Sequence, residues 1–214
     1  MAYRSYLELA LRGDRPGVRN LVDKLRKAGY TPERIALEIV GPALVEVGDR
    51  WMRNELSVAD EHLVSAISER VLAETFLDLA MPPPDSPLVM LASVHSEAHR
   101  IGQMILEGLF LQAGFQVNAL GSQVPTPDLL AMVKRLRPQV IGLSVTMSYH
   151  VPAAAQAVAL LREVTSAKLL VGGAIFKELP ELAEPIGADW VGSDSLEAVR
   201  FARENASRIP TADR

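Results

Sequence analysis

Four prolines in seven residues, Met81-Pro82-Pro83-Pro84-Asp85-Ser86-Pro87, constrain this chain more than any other feature. Proline locks φ and has no amide hydrogen, so the stretch excludes helix interior and favours an extended spacer. The hydrophobic period changes across it. Before it, segments near 2–12, 15–28, 32–53 and 57–79 have helical patterning and are separated by Gly13, by Gly29 with Thr31-Pro32, and by Asn54. Ile35, Ile39 and Val40 recur at helical spacing, and Thr31-Pro32-Glu33 reads as a cap followed by proline at the first helical position. Ser57-Val58-Ala59-Asp60 matches a loose capping box. Four helices with short connections predict a bundle.

After the prolines, short apolar runs alternate with helical stretches. Strands are expected at 88–94, 115–120, 140–145, 169–171 and 189–191, and helices at 100–113, 126–136, 152–164, 178–183 and 194–205. Strict alternation argues for a parallel sheet covered on both faces. The expected architecture is a four-helix bundle over 1–80, a hinge at 81–87, and an α/β domain over 88–214 with a flavodoxin-like, five-stranded, doubly wound sheet. In such a sheet ligands bind beyond the carboxyl ends of the strands, where strand order reverses. That places the loop Ser93 to Gly102, the strand end Leu143 to Thr146 and the pair Gly172-Gly173 around one crevice.

Composition narrows the chemistry that crevice can hold. With 214 residues the chain can bury about 70% of the surface exposed on unfolding, enough for a core without disulfides. It contains no cysteine, which removes thiolate zinc sites, iron–sulfur clusters and cysteine nucleophiles. Histidine and carboxylate remain as metal ligands, and there are four histidines. The net charge of -4 lacks the basic surplus that neutralises phosphates, so direct nucleic-acid binding is not expected. Met1 to Ala10 has one arginine and no long apolar core, and no apolar run reaches the roughly 20 residues of a spanning helix. A cytoplasmic protein without membrane contact is expected.

The crevice residues carry a family resemblance. Glu97-x-His99-x-x-Gly102, then 41 residues, Ser144-x-Thr146, then 25 residues, and Gly172-Gly173 resembles the signature of base-off, histidine-on cobalamin-binding proteins. Imidazole nitrogen suits cobalt, and a carboxylate on the other ring nitrogen fixes the tautomer and raises ligand basicity. The resemblance implies His99 as the cobalt ligand with Glu97 as its relay. It also implies Gly102 close to the nucleotide tail, hydroxyls from Ser144 and Thr146, and room at Gly172 and Gly173 for the buried base. Glu97 stands where aspartate is usual and Thr146 where leucine is usual, and neither departure is expected to abolish binding. His95 is expected to be a loop or pocket-wall residue.

A second resemblance lies in the bundle. Trp51, nine residues, then Glu61-His62 is similar to the tryptophan and Glu-His pair above the corrin in light-sensing, cobalamin-dependent transcriptional regulators. It implies that Trp51 packs on an adenosyl upper ligand, that Glu61 and His62 contact it, and that light breaks the cobalt–carbon bond and changes assembly or partner binding. By helical spacing Val58, Glu61, His62, Ser65 and Ala66 share one face, which is expected to point inward. Met52 stands where that family commonly has a histidine that ligates cobalt after photolysis, and His62, His150 or water could replace it. His150 is expected to face solvent. The family's DNA-binding region has no counterpart here, which implies action through a separate transcriptional regulator, another protein partner or self-association. The chain is read as a binding protein and no catalytic residue is assigned. The same architecture suits a corrinoid protein that carries methyl groups between methyltransferases and prefers methylcobalamin, or a cobalamin sensor without photochemistry.

Overall fold

The computed structural model describes residues 2–206, so residues 207–214 of the expected second domain lie outside the described residues. Two compact units divide between Asp78 and Leu79. Among the described residues no helix is long and apolar enough to cross a membrane.

The first unit is helical. Helix α1 is Ala2–Leu11 and α2 is Arg15–Lys27, each followed by a glycine at positive φ, Gly13 and Gly29, where the chain turns back. The Thr31 hydroxyl accepts from the Arg34 N–H and starts α3, Pro32–Arg34, which runs on through Ile35–Val40 into α4, Gly41–Met52. Residues 35–40 form π rather than α turns. Pro42 has no N–H and its ring would strike the carbonyl four residues back, so the chain widens locally and the Gly41 N–H reaches the Ala36 carbonyl. The capping box expected at Ser57 is present. Its Oγ accepts from the Asp60 N–H at 3.2 Å while the Asp60 carboxylate accepts from the Ser57 N–H at 2.8 Å, and this box starts α5, Val58–Phe76. Leu7, Val18, Ile35, Ile39, Val47, Val64 and Leu72 fill the interior. Tyr6 is buried among them, with its hydroxyl 2.9 Å from Ser68 Oγ. Burial pushes the Tyr6 phenol up to about 12, although the Ser68 hydrogen bond opposes the shift.

The second unit is a five-stranded parallel sheet. Its strands are β1 Leu88–Ser93, β2 Gln116–Ala119, β3 Val140–Ser144, β4 Lys168–Gly172 and β5 Trp190–Gly192, in the order β2-β1-β3-β4-β5. Helices α6 Ile101–Gln112, α7 Thr126–Leu136, α8 Val151–Arg162, α9 Ile175–Glu178 and α10 Ser195–Asn205 connect or follow them. Met90, Ala92, Ile141, Leu143, Leu169 and Val171 pack with Leu129, Val133, Ala154, Val158 and Leu161 of α7 and α8. Side chains alternate along a strand, so Val89, Leu91 and Leu170 point to the other face. Full burial of each such aliphatic side chain contributes about 1.5–3 kcal/mol.

Two local expectations need correction. The proline run bends instead of staying extended: the Ser86 N–H donates to the Pro83 carbonyl at 3.0 Å, and the Gln116 amide holds the Pro83 and Pro84 carbonyls. Pro84 has the φ that the second position of such a turn needs. The helix expected at 178–183 is instead α9 followed by 3-10 turns over Pro180–Ile186, because Pro180 and Pro185 interrupt the amide ladder.

Candidate functional site

The reversal of strand order falls between β1 and β3, and the loop after β1 occupies it. Its first step is a turn closed by the Glu97 N–H on the Val94 carbonyl at 3.0 Å, with Ser96 held at φ +69°. A left-handed conformation at a non-glycine residue is uncommon and persists where the surroundings impose it. Here the Ser93 hydroxyl donates to the His99 carbonyl at 3.1 Å and the Gln123 N–H donates to the Glu97 carbonyl at 3.1 Å. The reversal turns the Glu97 side chain inward, where it is fully buried.

Four donors meet that carboxylate. Oε1 accepts from the His99 N–H at 3.0 Å and lies 2.5 Å from His99 Nδ1. Oε2 accepts from the Thr146 N–H at 2.7 Å and lies 3.1 Å from His150 Nδ1. Burial pushes the carboxyl upward, but the His99 side chain, the two backbone amides and His150 outweigh it and hold Glu97 down at about 2. An ionised carboxylate only accepts, so both imidazoles carry a proton on Nδ1 and a neutral His99 has its lone pair on Nε2. The His99 side chain is 57% exposed while Glu97 beneath it is wholly enclosed.

The glutamate thus accepts from both the ring and the backbone amide of His99, two residues on in the chain. Thr146 contributes its backbone N–H, which any residue but proline supplies, so threonine for leucine leaves that contact intact. His150 corrects the solvent-facing expectation: it is buried, and Tyr149 packs on it edge-on at 4.3 Å. We expect His150→Ala to cost about 1–3 kcal/mol in folding stability, the range for removing one partner of a buried group. Three donors remain on Glu97, which keeps the cost below that of a fully stranded charge. An unchanged thermal midpoint would show that the contact contributes nothing.

Beside this loop, within the second unit, lies a cleft of about 200 Å³. Gly102, Ser144, Gly172 and Gly173 line it, as do Gln103 and Trp190, which sequence reasoning did not single out. A Cβ on Gly102 would meet only open space, whereas one on Gly173 would overlap the Val145 carbonyl oxygen. His95 is exposed on the loop, as expected.

The remaining candidates lie in the first unit. Glu61 Oε2 is 2.5 Å from His62 Nδ1, and the Ser65 hydroxyl donates to Glu61 Oε1 at 2.6 Å. The expectation that this face points into the bundle is corrected. The buried stripe of α5 is Val64, Ile67, Ser68, Val71, Leu72 and Thr75. Val58 and His62 are exposed, as are Trp51 and Met52 at the end of α4. Placing the Glu61–His62 pair on the surface avoids the cost of burying a carboxylate and an imidazole.

The sheet order, the imidazole backed by a buried carboxylate and the glycine-lined cleft together define a cofactor-binding α/β module joined to a helical unit. The donor set is one imidazole, which suits a metal arriving with its other positions already filled, and the cleft suits an appended group. Residues 87–200 match the family model described as B12 binding domain, and residues 2–74 match a second model of the same description. The chain belongs to the B12-binding family and is a cobalamin-binding protein. It is 34% identical over 135 residues to the HTH-type transcriptional repressor CarH of Myxococcus xanthus, a match covering 63% of this chain and 44% of the repressor. The chain thus spans less than half of that relative's length. It is 28% identical over 166 residues to dimethylamine corrinoid protein 3 of Methanosarcina mazei, covering 74% of this chain and 97% of that protein. The fold superposes on the monomethylamine corrinoid protein of Methanosarcina barkeri with a TM-score of 0.79 at 19% identity, covering 95% and 97% of the two chains.

Proposed function

We propose that this chain is an adenosylcobalamin-dependent, light-responsive regulatory protein that acts on transcription through protein partners or self-association. The observation that carries the reading is in the first unit, where Trp51 and Met52 at the end of α4 and Val58 at the start of α5 are exposed and Glu61 is held by His62 and Ser65. Contiguous exposed apolar surface marks an interaction site, and only residues 53–57 separate the two helix ends that carry these side chains. The 34% identity with a transcriptional repressor supports the same reading.

In this reading His99 ligates cobalt through Nε2, and Glu97 holds the imidazole in the required tautomer and raises its basicity. Gly102, Ser144, Thr146, Gly172 and Gly173 receive the nucleotide tail. Trp51 and Val58 pack on the adenosyl group, and Glu61 with His62 offers it hydrogen bonds. The bound cofactor supplies a cobalt–carbon bond that light cleaves. Trp51, Met52 and Val58 would then offer an apolar surface whose partners differ between the dark and the illuminated protein. Met52 offers a thioether, a far poorer partner for Co(III) than imidazole, so residue 52 does not ligate the illuminated form.

The test is an absorption spectrum and an elution volume with adenosylcobalamin in darkness and after green light. Both are expected to change, and identical results in the two conditions would sink the proposal. A methyl-carrying corrinoid protein is the second reading, favoured by the match that covers 97% of a dimethylamine corrinoid protein. Methylation of the bound corrinoid by a partner methyltransferase, with no response to light, would select it.

A further inference from the structure

Gln103 occupies the first turn of α6, is 4% exposed and lines the cleft of the second unit. Its Nε2 is the one fully buried side-chain nitrogen or oxygen among the described residues that has no hydrogen-bond partner. A buried donor left without an acceptor is destabilising, so such a group in a folded protein calls for an explanation. It faces a cleft of about 200 Å³, below the roughly 300–1,000 Å³ of pockets that take whole drug-sized ligands. That volume fits one planar ring system. The walls agree, since Leu91, Leu106 and Leu170 are apolar, and Trp190 supplies an aromatic ring close against Gly172 and Gly192.

We infer that the Gln103 side-chain amide reads the lower base of the corrinoid, donating to a ring nitrogen of that base. The inference rests on the reading in which His99 takes the lower face of cobalt. The base is then displaced from the metal, and the ring nitrogen it used becomes an acceptor in need of a donor. Gln103 and that nitrogen satisfy each other. A phenolic base has no ring nitrogen and offers Nε2 no such acceptor. Gln103 is therefore a specificity-determining residue: it favours corrinoids with nitrogen heterocycles as lower bases over those with phenolic ones.

The full chain is titrated with cobalamin, with a phenolyl cobamide and with cobinamide, which has neither nucleotide nor base. The readout is the ratio of cobalamin to phenolyl affinity in wild type and in Gln103→Met. Comparing the ratio between proteins cancels the advantage a phenolyl corrinoid has in carrying no base to displace. The ratio is expected to fall about tenfold in Gln103→Met through weaker cobalamin binding, the size of one hydrogen bond to a buried donor. Cobinamide affinity stays the same. The ligand-free variant melts at or above the wild-type temperature, because an unpartnered donor has been replaced by a thioether of similar length. Gln103→Leu repeats the measurement with a different shape should the methionine variant fold poorly.

An unchanged ratio, an equal loss for all three corrinoids, or a lower melting temperature of both ligand-free variants overturns the inference. A base-on spectrum of cobalamin bound to wild type is a separate result. It refutes the His99 reading itself, and the inference falls with it. A base-off spectrum with an unchanged ratio refutes the role of Gln103 alone.

Discussion

Alanine at position 99 is expected to leave cobalamin bound at least about 100-fold more weakly and without the absorption signature of a histidine-ligated, base-off corrinoid. Losing only the partner that orients a ligand costs about 10–100-fold in metal affinity, so losing the ligand should reach or exceed that range. The fold is expected to survive. Glu97 loses the Nδ1 donor but keeps the His99 and Thr146 amides and His150, a deficit of about 1–3 kcal/mol. The exposed imidazole contributes little packing. His62→Ala provides the contrast, because His62 pairs with Glu61 in the other unit, and the lower-face signature should persist there. If His99→Ala binds with wild-type affinity and spectrum, the ligand assignment is wrong and His150 becomes the next imidazole to test.

The alternation of elements was legible because its signals are local. Hydrophobic period and the proline and glycine positions mark where each strand and most helices stop, and the capping residues Thr31 and Ser57 act within one turn. The loop and strand-end candidates were legible through their spacing, which puts Glu97 in the loop after β1 and Ser144 and Gly172 at the paired ends of β3 and β4. His150 was not. Its contact with Glu97 spans 53 residues, and nothing in Ser148-Tyr149-His150 indicates burial. Gln103 carries a visible signal, a polar residue in helical register with Leu106 and Phe110 on an apolar stripe. The direction of α5 is hidden in the sequence for a different reason. Apolar residues occur around much of that helix, so the sequence pattern alone did not choose between the stripe that packs in the bundle and the face bearing Val58 and His62.

Two glycines of the same motif are expected to fail in opposite ways when changed to alanine. At Gly173 the new methyl would overlap the Val145 carbonyl oxygen and sit 2.6 Å from its carbonyl carbon. Neither partner can yield easily. Val145 is fully buried and its N–H donates to the Gly172 carbonyl at 2.8 Å, while the Gly173 N–H donates to the Gly192 carbonyl at 3.2 Å. Relief requires the carboxyl ends of β3 and β4 to separate, so Gly173→Ala should cost about 3 kcal/mol or more, the upper end for overpacking. In a chain of this size that lowers the melting temperature by roughly 6–12 °C. Corrinoid binding falls with it, because Ser144 and Gly172 are on the displaced strand ends. At Gly102 a Cβ meets nothing within 4 Å beyond its own stretch of helix, and alanine in a helix is favoured over glycine by up to about 1 kcal/mol. Gly102→Ala should therefore melt at or above the wild-type temperature and still bind cobalamin more weakly, because its methyl projects into the space assigned to the nucleotide tail. Melting curves without ligand, set beside cobalamin titrations, separate the two roles. A Gly102→Ala protein that binds like wild type would show that the tail does not approach this turn, and a Gly173→Ala protein of undiminished stability would show that the strand ends are free to move.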